Sequence, residues 1–319
     1  GAQLSAGRVQ TPTLALIVDR EEEIRRFVPQ EYFTVQAKCR GFTATWRDRN
    51  GQTRTFDRER AEHLCAALQG KHGVLSEVKR TLRQAPPPAA YDLTELQRDA
   101  NRKYAYSAKE TLSLMQSLYE RHKLLTYPRT DSRYISDDVV STLPERLKSV
   151  MVDEYRDLAR AILMKRPLQT RFLVDNARVT DHHAILPTEE QPELFRLSGP
   201  ERNIYDLVVR RFLAVLLPPC EYEETRLTLT VGGETFTARG KIMKEPGWRA
   251  AYGLFLLEED EEEEGEEREQ SLPPLRQGDS VEVLSARVST GKTAPPKRYT
   301  EATLLTAMEH PPTQGMDRA

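Results

Sequence analysis

The sequence predicts an α+β fold in which a β-rich domain is interrupted by a helical one. Three observations carry that reading. Runs alternating apolar and polar residues, the period of a half-buried strand, occupy two separate blocks, one before residue 84 and one after residue 218. Between them the apolar spacing lengthens to that of a helix face. Proline-rich punctuation, "APPPAA" at 85–90 and "LLPP" at 216–219, marks both changes of texture. With 319 residues the chain has room for two or three domains.

Taken in order, "LSAGRVQTPTLALIVDREEEIRRF" is helical. Leu14, Leu16, Ile17, Ile24 and Phe27 give it a rough apolar face, framed by Pro12 and Pro29. "YFTVQAKCRGFTATWRDRNGQTRTF" alternates around Asn50-Gly51 and predicts a β-hairpin turning there. "DRERAEHLCAALQG" is a helix closed by Gly70, and "GVLSEVKRTLRQ" is a strand. "YSAKETLSLMQSLYERH" opens with Ser107 and Glu110 at capping-box spacing. Its Leu112, Met115, Leu118 and Tyr119 form a stripe expected in the core. "YISDDVVSTLPERLKSVM" and "VDEYRDLARAILMK" are further helices. "SGPERNIYDLVVRRFLAVLLPP" repeats the capping box with Ser198 and Glu201. "ETRLTLTVGGETFTARGKIM" is a hairpin around Gly232-Gly233, "GDSVEVLSARVST" is a strand, and "RYTEATLLTAMEH" turns helical. No internal repeat is present.

Composition narrows the function classes. The formal net charge is −2, but "EEDEEEEGEERE" at Glu258–Glu269 holds ten acidic residues and one arginine, so the rest of the chain is net positive. Such a block is expected to be a solvated loop. Cys39, Cys65 and Cys220 have no paired spacing, which points to a reducing compartment and unbridged thiols. His63 and Cys65 lack the second pair that a zinc site needs. No apolar run approaches the ~20 residues that cross a bilayer.

Three stretches hold candidate chemistry. In "KLLTYPRTDSRYIS", Tyr127 ends a short apolar run beside Arg129, Thr130, Asp131 and Ser132. A phenol of pKa ~10 needs help to act as a nucleophile, and a phosphodiester polarised by cations is its best electrophile. Arg129 offers a planar fork to phosphate oxygens, and Asp131 could orient it. Pro128 drives Tyr127 into an extended conformation. The residues alone leave a buried, hydrogen-bonded tyrosine equally open. In "VTDHHAILPTEE", His182 and His183 cannot face the same way on regular structure, so one can pack while the other reaches a cleft and a phosphate. A purely structural pair is the alternative. In "SAGRVQTP", Arg8, Gln10 and Thr11 are phosphate- and base-capable. "STGKT" at Ser289–Thr293 is no P-loop, because Ala286 stands where a Walker motif needs glycine.

Together the three stretches resemble the type IA DNA topoisomerases, in which a "TY-x-R-[ST]-D" segment carries the nucleophile, "H-x-A-I-x-P-[ST]" a phosphate-binding histidine, and "GRVQ-[ST]-P" a single-strand groove. "TYPR" and "DHHAI" lean toward the topoisomerase III branch. The resemblance implies a discontinuous β-rich arch domain (residues 30–84 and 218–290) interrupted by a helical domain bearing the tyrosine (85–217). Helical remnants of a gate domain follow at both ends (1–29 and 291–319). It implies that Tyr127 forms a 5′-phosphotyrosine, that Arg129 clamps the scissile phosphate and that His182 binds a phosphate oxygen. Thr130, Asp131, Ser132 and His183, with Arg8, Gln10 and Thr11, would contact the strand. The implied reaction is two transesterifications without ATP.

The family's Toprim domain, with its glutamate acid and Asp-x-Asp cluster for Mg²⁺, has no match here. The expectation is therefore a central piece of the enzyme, inactive in cleavage by itself and binding no Mg²⁺. Its partners would be single-stranded DNA and the missing Toprim and gate domains, in a bacterial cytoplasm near the nucleoid and away from membranes. A non-catalytic module binding single-stranded DNA or a partner protein is the alternative. A tyrosine recombinase fits poorly, because its arginine–histidine spacing ahead of a C-terminal tyrosine is absent.

Overall fold

The computed structural model of the chain describes residues 9–253 and 270–310. Arg8 and the acidic block Glu258–Glu269 lie outside the described residues. Helix α1 (Gln10–Arg26) buries none of its residues, and Leu14 stands 62% exposed. Strands β1 (Glu31–Cys39) and β2 (Phe42–Arg47) then pair so that Cys39 faces Phe42 and Ala37 faces Ala44. The hairpin thus turns at Arg40-Gly41, with Gly41 at φ +87°, and not at Asn50-Gly51. The physical reason lies in register. A turn at Arg40-Gly41 puts Phe33, Val35 and Ala37 on the same inward face as Phe42, Ala44 and Trp46, all buried. Gly51 instead turns a separate loop, its amide donating to the Asp48 carbonyl at 3.0 Å.

Helix α2 (Arg58–Leu68) is capped by the Asp57 carboxylate, which accepts the Arg60 N–H at 3.0 Å. Gly70 follows it in the left-handed region at φ +71°, as the sequence predicts. Strand β3 (His72–Ala85) leads to the helices. After them, β4 (Cys220–Val231) and β5 (Glu234–Glu245) form the expected hairpin about Gly232-Gly233. Strand β6 (Ser280–Lys292) pairs with both β1 and β3, closing a barrel in the order β1-β2-β5-β4-β3-β6. The "STGKT" segment lies at the end of β6, with Ser289 opposite Thr34.

Inward residues from all six strands, among them Trp46, Leu75, Leu229, Phe236 and Val283, form one core under α2. Each large buried side chain contributes about 1.5–3 kcal/mol. The β2–β5 ladder is short, spanning Thr45–Arg47 against Thr235–Thr237. Beyond it the Gln270 side chain takes over, accepting the Thr43 N–H at 2.8 Å and donating to the Thr43 carbonyl at 2.7 Å. Gly240 makes this approach possible, since a Cβ there would meet Leu272 at 2.7 Å and the Gln270 carbonyl at 2.9 Å.

The outer halves of β3, β4 and β5 run on as a ribbon to a second core built by helices. These are α3 (Leu93–Tyr104), α4 (Ala108–Gln116), α5 (Leu143–Ser149), α6 (Arg156–Met164) and α7 (Gly199–Val215). Helix α7 is buried around most of its circumference and begins with the predicted Ser198–Glu201 capping box. Ser107 caps α4 by accepting the Glu110 N–H at 3.1 Å.

Arg211 ties the pieces together. Its guanidinium donates to the Tyr252 hydroxyl (2.9 Å), the Ala89 carbonyl (3.0 Å) and the Asp99 carboxylate (2.7 Å), and lies 4.0 Å from the Tyr91 ring centroid. Burial opposes its charge, but the surrounding oxygens outweigh burial and raise its pKa. Helix α8 (Glu301–Glu309) docks on α3, its Glu301 accepting the Ala108 N–H at 2.5 Å. Arg298 reaches back to Glu21 on α1 at 2.7 Å. Among the described residues, no helix is long and apolar enough to cross a membrane.

Candidate active site

Helix α4 runs into a π-helical turn, Ser117–Arg121, in which the His122 N–H reaches back five residues to the Ser117 carbonyl (3.1 Å). The wider turn rotates the chain that follows. Met115 and Leu118 stay fully buried, but Tyr119 leaves the core stripe in which the sequence places it. It meets the Tyr127 ring edge-on, with centroids 5.6 Å apart. The turn is fixed from α7. Glu201 accepts the Ser117 hydroxyl at 2.6 Å and the Ser198 N–H at 2.8 Å, and lies 3.3 Å from His122 Nε2. Burial alone would raise the Glu201 carboxyl, but those hydrogen bonds and the imidazole hold it down to about 2.

After Lys123, at φ +59°, the chain runs extended through Tyr127 beside the segment that carries the histidines. Thr126 N–H donates to the Leu186 carbonyl (2.9 Å), and Thr188 N–H to the Leu124 carbonyl (3.0 Å). The Thr126 hydroxyl accepts the Leu186 N–H (2.9 Å), and the Thr130 hydroxyl donates to the His182 carbonyl (3.1 Å). Tyr91 and Tyr134 supply carbonyls to the amides of Ile185 and Ala184. These bonds satisfy buried backbone groups that no regular ladder covers.

The two histidines split as adjacent residues on an extended chain must. His182 is exposed, and its ring lies 4.4 Å from that of the half-buried Tyr127, tilted by 42°. His183 turns inward, its Nδ1 2.7 Å from the Ala184 carbonyl, and burial pushes its pKa down. The Tyr127 hydroxyl has no hydrogen-bond partner among the described residues. Arg129 and His182 line one cavity of about 470 Å³ with Asp181, Glu309 and the first residues of α3. There Asp92 caps α3 by accepting the Glu95 N–H at 2.7 Å, and burial raises the Asp92 pKa.

Arg129 and His182 can donate to an anion in this cavity, while four carboxylates on its wall, Asp92, Asp131, Asp181 and Glu309, oppose one, and Asp92 already caps the N-terminal end of α3. Arg129 is exposed and pairs with no described residue. Asp131, which the sequence suggests as its partner, instead accepts the Thr180 hydroxyl at 3.2 Å. Thr130 and Ser132 are 8% and 3% exposed. The Ser132 hydroxyl donates to the Arg178 carbonyl at 2.7 Å, so both side chains hold the loop and do not present their hydroxyls to a strand. Gln10 and Thr11 sit exposed in the first turn of α1, and no hydrogen bond links them to the cavity; Arg8 lies outside the described residues.

Sequence reasoning missed Tyr119, the start of α3 and Glu309. The Asp92…Glu95 spacing carries an N-cap signal. Nothing local encodes the π-turn that redirects Tyr119. Among the described residues, no group of three or more His, Cys, Asp or Glu side chains is arranged to hold a metal ion.

A sequence profile of the family described as DNA topoisomerase matches residues 1–312. DNA topoisomerase 3 of Bacillus licheniformis is 50% identical over 311 residues, covering 97% of this chain and 42% of that protein. The Bacillus subtilis protein of the same name shows the same figures. A Bacillus cereus protein, again DNA topoisomerase 3, is 48% identical over 317 residues, 99% of this chain and 43% of its own length. The chain thus spans less than half the length of these relatives. Full-length topoisomerase I from Thermotoga maritima superposes with a TM-score of 0.72 at 27% identity, over 97% of this chain and 48% of that one.

Proposed function

The chain belongs to the type IA DNA topoisomerase family, and from that membership we propose that Tyr127 is the nucleophile of a single-strand cleavage and resealing reaction. In the forward step the phenol loses its proton and its oxygen bonds to phosphorus. The bond from phosphorus to the 3′ oxygen breaks, that oxygen takes a proton, and a 5′-phosphotyrosine remains. The reverse step reseals the strand, so no ATP is consumed and strands can pass while the break is held open. One observation supports this above all: the Tyr127 ring packs on His182, which shares a cavity with Arg129. Arg129 offers two parallel donors to a phosphate, and the imidazole offers one more. Tyr119 and His182 both pack against the Tyr127 ring, which lowers the entropy lost on reaching the reactive geometry.

The chain alone is proposed to bind single-stranded DNA but not to cleave it, because Mg²⁺ and a general acid would come from segments of its relatives that it does not span. Its place in the cell would be the bacterial cytoplasm, at the nucleoid. The test is to trap covalent oligonucleotide adducts with Mg²⁺, comparing the chain alone with the chain carrying those segments. Adducts at Tyr127 only in the longer protein support the reading. Robust cleavage by the chain alone removes the proposed division of labour. Strand binding with no adduct in either protein leaves a non-catalytic binding module.

A further inference from the structure

Arg98 is a half-buried cation next to two residues that line the cavity, Thr94 and Glu309, and the reaction above leaves it unused. It lies on α3 one turn beyond Thr94, so the two share a helix face, and Thr94 lines the cavity. The Arg98 side chain is 11% exposed. Its Nη1 is held by Glu95 at 2.5 Å, and its Nη2 by Glu309, the last residue of α8. Its Nε is buried without a partner among the described residues. Glu309 lines the same cavity as Arg129 and His182, and its side chain is 43% exposed. The other end of α8 is fixed separately, by Glu301 on the Ala108 N–H and by the Ala302 N–H on Asn101.

A carboxylate and a phosphodiester present a guanidinium with the same charge and the same pair of acceptor oxygens. We propose that the Glu309 carboxylate holds the place of a DNA phosphate, and that a bound strand displaces it from Arg98. Arg98 then joins Arg129 and His182 as a third contact to the phosphate backbone, kept in orientation by Glu95. The proposal rests on the reading of the cavity as a single-strand site. Displacement needs only a turn of the Glu309 side chain, because α8 remains anchored at its first residues.

The test is oligonucleotide binding by the 319-residue chain, followed as fluorescence anisotropy of a labelled single-stranded poly-dT probe at several salt concentrations. Glu309→Gln is expected to tighten binding roughly three- to tenfold and to steepen the salt dependence by about one phosphate contact. In an Arg98→Gln background the gain should vanish. Should that background fail to fold, Arg98→Lys, which keeps the charge without the fork, should lose most of the gain. Unchanged or weaker binding by Glu309→Gln overturns the proposal. So does a gain of equal size without Arg98, which would mean simple charge removal. Arg129→Ala separates the two readings. Weaker binding in Arg129→Ala with no response to Glu309→Gln sinks only the displacement. Binding indifferent to both removes the cavity reading itself.

Discussion

The barrel and the tyrosine-bearing helical region satisfy their backbones by different means. In the barrel the main chain pairs with itself along six strands, and side chains serve the core or the solvent by simple alternation. Around Tyr127 the chain is extended but has little ladder to join. Threonine and serine hydroxyls, buried carbonyls and ionised hubs at Glu201 and Arg211 do the pairing instead. The difference teaches where chemistry can reside. A regular sheet fixes side-chain direction by period, whereas irregular segments held by other side chains can bring residues from separate stretches, such as Arg129 and His182, to one cavity.

The sharpest way to break the comparison is Tyr127→Phe, in a protein carrying this chain with the remaining segments of its relatives. Adduct formation should fall at least ~1,000-fold while strand binding stays nearly intact. Unchanged nicking would move the chemistry elsewhere. Arg211→Met comes next. It strips a buried charge from the Asp99 and tyrosine oxygens around it and should cost about 3–5 kcal/mol in chemical denaturation. Phe236→Ala should cost a similar 3–5 kcal/mol through a cavity in the barrel, yet leave the His182 and Tyr127 ring resonances unmoved in NMR spectra. Movement of both rings would show that the barrel core tunes the site.

Glu201→Gln should cost about 1–3 kcal/mol and shift the Tyr119 and Tyr127 resonances together, since it loosens the π-turn. Its pH signature follows from the lowered carboxyl. The wild-type stability that this group contributes is complete above its ordinary range near 4.5 and disappears as pH falls toward about 2. Melting curves of the variant and the parent should therefore converge over that interval and differ most at neutral pH. The smallest effect is expected for Thr130→Val, about 1 kcal/mol, with His182 displaced from the Tyr127 ring.

What could be read from the sequence follows the same division. The β4–β5 hairpin was legible because Gly232-Gly233 both separates two alternating runs and supplies positive φ. The β1–β2 hairpin was legible as a pair but not in its turn, since Asn50-Gly51 is the stronger local signal and only pairing chooses Arg40-Gly41. Closure of the barrel was not legible, because β6 must reach both β1 and β3 across long stretches of chain. Tyr127, Arg129 and His182 were singled out through the family resemblance, since the residues alone left a buried tyrosine and a structural histidine pair open, and the sequence showed only that His182 and His183 must face opposite ways. The inward roles of Thr130 and Ser132 depend on carbonyls from distant segments, which local pattern does not contain.

The short β2–β5 ladder has a mechanical counterpart. His72–Val74 against Ser280–Glu282 is the equally short seam on the far side of the barrel, where β3 meets β6. Strands β3, β4 and β5 all end at the helical region, where Trp248 bonds the Ala85 and Pro218 carbonyls. The barrel is therefore two three-stranded sheets sewn along two brief edges. Opening the barrel along those edges would sacrifice few strand pairs, whereas parting β1 from β6, β3 from β4 or β4 from β5 would break a long ladder.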